Sequence, residues 1–444
     1  MIEVIAIFDI GKTNKKLLLF DRDYQVVHQH MEKMEETVDE DGFQCEDLPA
    51  LISSVRNMFR MVSADERYLV KALNFSAYGA SFVHVDHDGN PLTPLYNYLK
   101  PFPPLMQEEF FQKYGGANQV SRLTASPVLG SLNSGLQVYR IKKERPELFG
   151  KIAHALHLPQ FLAYLFSGRA VSEITSIGCH TMLWDFTQDQ YHTWVHEEGL
   201  GKVFPAIVPA SSAALNTLGQ QDVWVGTGLH DSSAALVPYL MQFSSPFILI
   251  STGTWSISLN PFNQEPLTDE ELKQDCLCYL QYTGKPVKAS RLFLGKQHEE
   301  GAERIAKHYA LPEDFFVGVK YRQDLDAMNQ WTQKGVASFE DLELTEVGSP
   351  DVAYHMLVAS LVELQVKSTN LISGKVIPQQ LLVDGGFSHN DIFMHLLALE
   401  FQDCRVYASE VAQASALGAA LVLHETWNPN AKLNTLIRLV EFNP

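Results

Sequence analysis

The sequence predicts a two-domain α/β protein with a ligand-binding cleft between its domains, and three observations support this prediction. The chain has 444 residues, which is more than one hydrophobic core usually supports. Segments with strand and helix patterns alternate along it, as they do in α/β proteins. A short motif, in which an apolar strand, a Gly/Thr turn and a second strand follow one another, occurs near residue 11 and again near residue 253. Each predicted domain therefore carries one copy of the motif.

Strand and helix patterns follow in order along the first half of the chain. Strands are predicted from runs of β-branched, aromatic and aliphatic residues, and helices from apolar residues at helical spacing. The clearest elements are a strand at 26–28, a helix at 48–62, strands at 69–75 and 82–86, and a helix at 132–149 that ends at Gly150.

The domain boundary is predicted at residues 241–246, between the last motif of the first half and the second Gly/Thr turn. The first domain is then residues 1–241 and the second is residues 242–444. A stretch rich in proline and aromatic residues, 91–104, is predicted to form an ordered loop that walls the cleft. The tail, residues 427–444, is expected to pack on the first domain.

Charge and cysteine usage exclude several classes of partner. The formal net charge of -18 argues against nucleic acid or an anionic membrane as the main partner. No apolar run reaches the roughly 18 residues of a membrane span, and the chain starts with a strand pattern instead of a basic, apolar leader. The 5 cysteines are odd in number and scattered, which fits a reducing compartment. We therefore expect a cytoplasmic protein with no nucleic-acid or membrane partner.

The first Gly/Thr turn lies in the segment from Asp9 to Lys16. Glycine lets the backbone approach an anion without a Cβ atom in the way, and consecutive N–H groups in a turn form an anion-binding concavity. Gly11 with the hydroxyl of Thr13 fits this description. The alternative is an ordinary hairpin, which is the more frequent outcome for a single short glycine motif.

The second Gly/Thr turn lies in residues 247–259 and contains Thr252, Gly253 and Thr254. Two matched turns that face each other would hold a polyphosphate from both sides. The second copy therefore favours phosphate binding over two unrelated hairpins.

A third motif, residues 225–236, immediately precedes the predicted boundary. It combines a glycine-rich turn with His230, Asp231 and small residues, which is the pattern of a helix N-terminus. Asp231 is either the N-cap of that helix or a general base at the mouth of the cleft, with His230 beside it as a polar contact. Spacing alone does not separate these alternatives.

Residues 380–396 predict a strand, a turn at Gly385 and Gly386, and a helix. Glycines at such a junction let a flat base or a phosphate lie against the backbone, and a helix N-terminus favours an anion. The small residues of 409–420 predict close helix packing.

In this order the motifs resemble those of the FGGY family of carbohydrate kinases, within the sugar kinase, hsp70 and actin superfamily. The resemblance covers nearly the whole chain and implies a two-domain actin-like ATPase fold. The matching segments are a first phosphate motif at 9–15, a catalytic-base motif at 228–231, a second phosphate motif at 251–255, and an adenosine motif at 384–386 with Asn390. The His-Asp-Ser form at 230–232 and the Gly-Thr-Trp form at 253–255, together with the segment 78–82 before a strand, are most similar to the L-rhamnulokinase and L-fuculokinase branch.

The resemblance also implies roles for individual residues. Asp231 would be the catalytic base that accepts the proton of the sugar hydroxyl, and Asp9 would help to organise Mg²⁺. The residues implied to bind ATP are Gly11, Lys12, Thr13, Asn14, Lys15, Lys16, Thr252, Gly253, Thr254, Gly385, Gly386 and Asn390. The residues implied to touch the sugar are Gly79, His230, Asp231 and Ser232. ATP and Mg²⁺ are the implied cofactors.

Three departures from the family pattern concern the phosphate turn and the sugar side. Lys12 stands where the family usually has a small or hydroxyl residue, and it either reaches a phosphate or points to solvent. The segment 96–100 reads Tyr-Asn-Tyr-Leu-Lys where many members carry Asp and Arg, and Ser81 stands where the rhamnulokinase-like pattern tends to have Asp. These differences leave the kinase prediction intact and leave the identity of the sugar open.

The segment 291–301 lies where the second domain of such kinases faces the cleft. It is either a solvated helix start or a wall of the substrate or nucleotide site, formed by His298 or Gln297. The sequence leaves both alternatives open.

The expected function is therefore phosphoryl transfer from ATP to a ketose or related sugar, with a rhamnulose- or fuculose-like acceptor favoured. The main alternative is a nucleotide-dependent sugar-binding or regulatory protein on the same fold, because a fold does not establish chemistry. An ATP hydrolase would need neither the base motif nor a sugar wall. The oligomeric state is left open, with a homodimer possible.

Overall fold

A computed structural model of the chain describes residues 1–433 and 436–443. These residues form two α/β halves, each of which is built around a seven-stranded sheet. Among the helices of the described residues, none combines the length and apolar character needed to cross a membrane.

The first half alternates strands with helices up to residue 242. Its strands are β1 (Ile2–Ile10), β2 (Asn14–Phe20), β3 (Val26–Lys33), β4 (Glu36–Val38), β5 (Gln44–Glu46), β6 (Tyr68–Ala77), β7 (Phe82–Val85), β8 (His154–His157), β9 (Ser172–Glu173), β10 (Trp184–Asp185), β11 (Gln190–Tyr191), β12 (Ile207–Val208), β13 (Ala213–Leu218), β14 (Gln221–Gly226) and β15 (Leu229–His230). Its helices are α1 (Leu48–Ala64), α2 (Pro104–Lys113), α3 (Ala117–Leu123), α4 (Ser134–Glu144), α5 (Pro146–Phe149), α6 (Leu158–Ser167), α7 (Ile174–Ile177), α8 (Thr193–Glu197) and α9 (Asp231–Gln242). The main sheet runs in the order β13-β14-β6-β1-β2-β3, and β15 pairs with β6.

The second half begins after α9. Its strands are β16 (Phe247–Thr252), β17 (Ser256–Asn260), β18 (Cys276–Leu280), β19 (Pro286–Leu292), β20 (Gln380–Gly385), β21 (Arg405–Glu410) and β22 (Arg438–Phe442). Its helices are α10 (Asp269–Lys273), α11 (Leu294–Tyr309), α12 (Ala327–Lys334), α13 (Pro350–Leu371), α14 (Asp391–Glu400), α15 (Ala414–Leu421) and α16 (His424–Trp427). The sheet order is β18-β19-β17-β16-β20-β21-β22.

The two sheets repeat one arrangement of strands. β1 pairs with β2 in antiparallel and with β6 in parallel fashion, and β16 pairs in the same way with β17 and β20. The central strands are apolar and fully buried, as strands covered on both faces must be. Each Gly/Thr turn therefore lies at the carboxyl end of a central parallel strand, where open α/β sheets bind their ligands.

One predicted helix differs from the structure. The pattern over residues 132–149 forms two helices, α4 and α5, because Pro146 has no N–H group and disfavours helical geometry in the residue before it. Arg145 accordingly has φ -135° and ψ 62°, outside the helical region. The helical spacing of apolar residues therefore continues past Pro146, although the helix itself is interrupted at Arg145.

The C-terminal part of the chain contacts both halves. Trp427 is buried in an apolar cluster shared with strands of the first sheet. The expectation that residues 427–444 pack on the first domain is wrong for β22, which pairs with β21 in the second sheet. Asn434, Thr435 and Pro444, which belong to the same expected segment, lie outside the described residues.

Helix α15 from the second half packs directly on α9 from the first half. A Cβ atom added at Gly418 of α15 would overlap the carbonyl oxygen of Ala234 in α9, so glycine is required for this close approach. The side chains just before this contact reach across the cleft, where Ser415 contacts Asp9 and Gln413 contacts Lys16. The small residues predicted to permit close helix packing thus hold the two halves together beside the cleft.

Candidate active site

The first phosphate turn is a tight hairpin between β1 and β2. The Gly11 N–H donates to the Asn14 carbonyl oxygen at 2.9 Å, which closes the turn and leaves Lys12 and Thr13 at its tip. This geometry turns the backbone of the tip toward the cleft without an intervening side chain at Gly11.

The three lysines of this turn have different partners. Lys15 is 1% exposed, and its ammonium donates to Glu46 at 3.0 Å and to the carbonyl oxygens of Gly11 and Lys12. The Lys12 ammonium pairs with Glu36 at 2.7 Å. Lys16, on the opposite face of β2 from Lys15, donates to Gln413 of the second half at 3.0 Å.

This placement corrects the predicted roles of two of the lysines. The Lys15 side chain is committed to Glu46 beneath the turn, so it supports the turn and does not offer its charge to a phosphate. Lys12 does neither of the two things that the sequence left open, because Glu36 holds it in an ion pair. Lys16 is the lysine of this turn whose side chain lies at the junction of the two halves.

Asp9 lies next to the last residue of β1, beside this junction. Burial raises the pKa of Asp9, and the charge of Asp231 raises it further, while the Ser415 hydroxyl that donates to Oδ1 at 3.1 Å and the nearby Lys16 oppose the shift. Two like-charged carboxylates that face one cleft are a favourable environment for a cation.

Within the described residues, no three His, Cys, Asp or Glu side chains form a metal-binding group. Proteins usually bind Mg²⁺ through one or two carboxylates together with substrate phosphates. Asp9 is the carboxylate beside the first phosphate turn, and it therefore fits the predicted metal-organising role.

Asp231 is the first residue of α9, and the N-cap of that helix is His230. The carboxylate is therefore not the helix N-cap. Its Oδ1 accepts from the Ser232 N–H at 2.6 Å and the Ser232 hydroxyl at 3.2 Å, while Oδ2 has no hydrogen-bond partner among residues 1–433 and 436–443. The carboxylate lies deep in the cleft with 36% of its side chain exposed. Burial raises the pKa of Asp231 to about 6, in spite of the two bonds from Ser232.

His230 is buried beside this carboxylate. Its Nε2 lies 3.0 Å from Cys179 Sγ and 3.2 Å from Asp231 Oδ1, and its Nδ1 lies 3.3 Å from the Ser233 hydroxyl. Burial lowers the pKa of His230 to about 3, so the ring is neutral at physiological pH. A Cβ atom at Gly79 would lie 2.9 Å from Cys179 Sγ and 3.0 Å from the His230 ring. Glycine at position 79 therefore permits the close packing that holds His230 in place.

The second phosphate turn is closed by the Gly253 N–H, which donates to the Trp255 carbonyl oxygen at 2.8 Å. The Gly295 N–H at the start of α11 donates to the Thr254 carbonyl oxygen at 3.1 Å. A Cβ atom at Gly295 would overlap the carbonyl oxygen of Gly253, so α11 begins directly against the turn. Gly295 is a site residue that the sequence motifs did not identify.

Thr252 connects the second phosphate turn to the Gly-Gly turn. Its hydroxyl donates to the Asp384 carbonyl oxygen at 2.5 Å and accepts from the Phe387 N–H at 3.0 Å. Gly385 has φ +84°, and a Cβ atom there would overlap the Thr252 carbonyl oxygen. The Thr252 hydroxyl is therefore occupied in joining β16 to β20, which corrects its predicted contact with ATP. Glycine is required at position 385 for the close approach to the Thr252 backbone, and its ATP contact stays a prediction.

A cavity of about 440 Å³ opens between these turns and α11, α13 and α14. Four of the predicted ATP-binding residues line it: Gly253, Thr254, Gly386 and Asn390. The other lining side chains come from α11, from α13, from the segment before α12 and from the 3₁₀ turn before α14, and include His298, Glu299, Phe316, Val317, Val319, Lys320, Tyr354 and Phe387. Of the two candidate wall residues in 291–301, His298 lines this cavity, whereas Gln297 lines a separate groove.

An aromatic and a basic residue lie near Asp231 and the second phosphate turn, respectively. Tyr98, from the predicted wall, lies close enough to Lys12 and Asp231 for both charges to act on its pKa, which burial raises. Arg291 of β19 pairs with Asp275 at 2.6 Å, and its guanidinium lies 5.7 Å from the centre of the Trp255 ring. Sequence reasoning placed Arg291 in a segment that faces the cleft but assigned it no role.

Comparison with protein families decides the identity of this arrangement. Residues 4–237 match the N-terminal domain of the FGGY family of carbohydrate kinases, and residues 244–431 match the FGGY carbohydrate kinase C-terminal domain. The chain belongs to the FGGY family of carbohydrate kinases. The two matched regions together account for both sheets up to α16.

Curated relatives of this FGGY protein include two rhamnulokinases at low identity. The rhamnulokinase of Halalkalibacterium halodurans is 22% identical over 265 residues, which cover 56% of this chain and 54% of the relative. The rhamnulokinase of Oceanobacillus iheyensis is 24% identical over 232 residues, which cover 50% of this chain and 47% of the relative. The matched regions thus span about half the length of these relatives.

Solved structures confirm the two-domain actin-like ATPase fold over the whole FGGY chain. A carbohydrate kinase from Novosphingobium aromaticivorans superimposes with a TM-score of 0.82 at 22% identity, covering 100% of this chain and 94% of that one. A xylulose kinase from Lactobacillus acidophilus superimposes with a TM-score of 0.79 at 13% identity, with the same coverage. At these identities the likeness concerns the fold.

Proposed function

We propose that this FGGY protein is an ATP-dependent carbohydrate kinase that transfers the γ-phosphoryl group to a hydroxyl of a ketose or related sugar. The observation that carries the proposal is the position of Asp231. Its carboxylate has a raised pKa and an unpartnered Oδ2 within the described residues, and it lies close to Asp9, where the two halves of the molecule meet. The nucleotide-sized cavity opens beside the second phosphate turn of the same cleft.

The geometry supports in-line phosphoryl transfer. The cavity takes the nucleoside, and the backbone of the two turns takes the phosphates from opposite sides. Positioning and charge stabilisation contribute most of the rate enhancement in such reactions. Mg²⁺ held by Asp9 and the phosphates would neutralise the developing charge, and Lys16 adds a positive charge from the first half.

Asp231 would act as the general base. Its free Oδ2 accepts the proton of the attacking hydroxyl, while the N–H and the hydroxyl of Ser232 donate to Oδ1. The neutral His230 ring, fixed by Cys179 and Ser233, does not compete for that proton, because burial lowers its pKa to about 3. Closure of the halves over the cleft would exclude water in favour of the sugar hydroxyl.

The acceptor class is proposed from the sequence and its relatives. The two curated relatives are named rhamnulokinases, and the motif forms around Asp231 and Trp255 resemble the rhamnulokinase and fuculokinase branch. We therefore favour a rhamnulose- or fuculose-like acceptor that contacts Gly79, His230 and Ser232. The five free thiols support a reducing, cytoplasmic location.

The testing experiment is a coupled ADP-release assay with Mg-ATP and a panel of acceptors. The panel contains L-rhamnulose, L-fuculose, L- and D-xylulose, L- and D-ribulose, glycerol and erythritol. The proposal expects strong stimulation by one or more ketoses. ATP binding without stimulation by any acceptor would instead support a nucleotide-dependent binding or regulatory protein.

The acceptor-dependent rate is expected to depend on pH through Asp231. A general base works only in its ionised form, and burial raises the pKa of this carboxyl to about 6. kcat/KM should therefore be flat above that pH and should fall about tenfold per pH unit below it. A pH profile of kcat/KM at saturating Mg-ATP checks this, and a profile that stays flat down to the ordinary carboxyl range would contradict the assignment.

Lys16 is expected to matter for ATP use, and Lys12 is not. Lys16→Ala removes the charge at the junction of the halves and should lower kcat/KM for ATP by roughly a hundredfold, the scale of one lost charge-stabilising donor. Lys12→Ala breaks a partly exposed ion pair with Glu36 and should change the same quantity less than about threefold. Steady-state kinetics on both variants provide the comparison, and equal losses would refute the different placement of these two lysines.

A further inference from the structure

A chain of hydrogen bonds runs along the inner wall of the nucleotide cavity, and its direction can be established from one end. Asn390 is the N-cap of α14, and its Oδ1 accepts from the Phe393 N–H at 3.0 Å. Because a backbone N–H can only donate, this bond identifies the amide oxygen, and the other amide atom is the NH₂ group. That group donates to the Tyr354 hydroxyl oxygen at 2.8 Å.

The next bond joins Tyr354 to His298. The Tyr354 side chain is almost completely buried, with 1% of the residue exposed, and its hydroxyl oxygen lies 2.9 Å from His298 Nε2. The hydroxyl already accepts from Asn390, and a buried O–H group without an acceptor is costly. Its proton is therefore donated to His298 Nε2, which must be the unprotonated nitrogen of the ring.

The ring of His298 consequently carries its proton on Nδ1. Burial lowers the pKa of His298 to about 4, so the ring is neutral and holds a single N–H. Nδ1 forms no hydrogen bond within residues 1–433 and 436–443, and it is not among the buried side-chain atoms that lack a partner. It is thus an accessible donor on a ring that lines the cavity.

Aromatic neighbours hold this ring in one orientation. Phe316 and Phe387 contact it edge to face, with ring centres 4.9 Å and 5.5 Å away. Gly295 of α11 abuts the second phosphate turn. His298 lies about one helical turn further along the same helix. The histidine therefore lies beyond the phosphate end of the cavity, beside the apolar side chains of Phe316 and Val317.

From this arrangement we infer that His298 selects the nucleotide by donating a hydrogen bond from Nδ1 to an acceptor atom of its nucleoside part. The inference rests on the proposed function, since it places a nucleotide in this cavity. Tyr354 and Asn390 act as positioning residues, because they fix the tautomer that presents the donor. The acceptor is a ring nitrogen of the base or an oxygen of the ribose.

The test measures ADP binding by calorimetry, without any sugar. His298→Phe keeps an aromatic ring and removes the donor, and it should weaken ADP binding roughly fivefold, the scale of one neutral hydrogen bond. His298→Asn and His298→Gln form a matched pair, because the Asn amide reaches the place of Nδ1 and the Gln amide reaches that of Nε2. The His298→Asn variant should bind ADP more tightly than the His298→Gln variant. Tyr354→Phe should weaken ADP binding less than His298→Phe does.

Analogues of ADP identify the acceptor atom. 1-deaza-ADP, 3-deaza-ADP and 7-deaza-ADP each lack one ring nitrogen, and 2′-deoxy-ADP and 3′-deoxy-ADP each lack one ribose hydroxyl. The analogue without the acceptor should bind wild type several-fold more weakly than ADP does, but should bind His298→Phe about as well as ADP does. If each analogue loses the same factor against both proteins, the hydrogen bond does not form and the inference is overturned.

Failure of the inference can be distinguished from failure of the proposed function. Wild-type protein that binds ADP and phosphorylates a sugar, together with a His298→Phe variant that binds ADP equally well, would overturn the inference alone. Wild-type protein that binds no ADP would overturn both. Thermal unfolding of each variant without nucleotide shows whether a loss of binding reflects a loss of folding.

Discussion

Replacing Asp231 with Asn is expected to lower acceptor-dependent turnover by roughly 10²- to 10⁴-fold, the contribution usual for a general base. Asn has nearly the same shape and still accepts the hydrogen bond from the Ser232 N–H, but it cannot take up the proton of the sugar hydroxyl. ADP binding should remain within about twofold of wild type, because the nucleotide cavity is lined by residues of the second half. The measurements are kcat by ADP release and the ADP dissociation constant by calorimetry.

A second helix-start carboxylate provides the matched control for this substitution. Asp351 lies in the first turn of α13 and is exposed, so Asp351→Asn makes the same chemical change away from the cleft. It should leave kcat within about twofold of wild type, as surface substitutions usually do. An Asp231→Asn enzyme that kept more than a tenth of the wild-type turnover would remove Asp231 from the role of base.

The fold and the order of the motifs could be predicted from the sequence because they are local properties. A glycine between two apolar strands and an acidic residue at a helix start are visible within about 15 residues of chain, and the family resemblance joined them in order. The repeated motif near Gly11 and Gly253 became a repeated arrangement of strands for the same reason. Neither conclusion required knowledge of which distant side chains meet.

The partners of individual site residues could not be predicted, because distant parts of the chain decide them. Alternation along β2 shows that Lys15 and Lys16 point to opposite faces, but Glu46 makes Lys15 the buried one, and Gln413 marks Lys16 as the one at the cleft. Thr252 stands in a phosphate motif, yet its hydroxyl is used by Asp384 and Phe387. In these cases the residue type is suited to phosphate binding, but its side-chain ammonium or hydroxyl group already bonds to another part of the protein.

The same limit applied to His298. The sequence indicated that this histidine could line a site or belong to a solvated helix start, and nothing nearby in the chain decided between them. Tyr354 and Asn390, which come from two other helices, determine both its position and its tautomer. A hydrogen-bond chain of this kind leaves no periodic or compositional signal in the sequence.

Gly418→Ala is expected to cost both stability and activity, because it forces apart the two helices that join the halves. The added Cβ would overlap the carbonyl oxygen of Ala234, and a helix-to-helix contact of backbone on backbone cannot be relieved by a side-chain rotation. Overpacking of this kind usually lowers the free energy of unfolding by about 1–3 kcal/mol, and sometimes by more.

We expect Gly418→Ala to lose activity because α9 and α15 both carry residues of the candidate site. Asp231 begins α9, and Ser415, which donates to Asp9, lies at the start of α15. A displacement of about 1 Å between catalytic groups can lower the rate about a hundredfold. We therefore expect kcat to fall by about that factor at a temperature where the variant is fully folded, while ADP binding in the second half changes little. Differential scanning calorimetry gives the stability, and ADP release gives kcat.

A glycine in open space supplies the control for Gly418. A Cβ atom at Gly201, in a short 3₁₀ turn of the first half, would meet no atom within 4 Å, and its φ is not in the left-handed region. Gly201→Ala should therefore change the free energy of unfolding by less than about 0.5 kcal/mol and leave kcat unaltered. If Gly418→Ala had the same free energy of unfolding and the same kcat as Gly201→Ala, the contact between α9 and α15 would not be what holds Asp231 opposite Asp9.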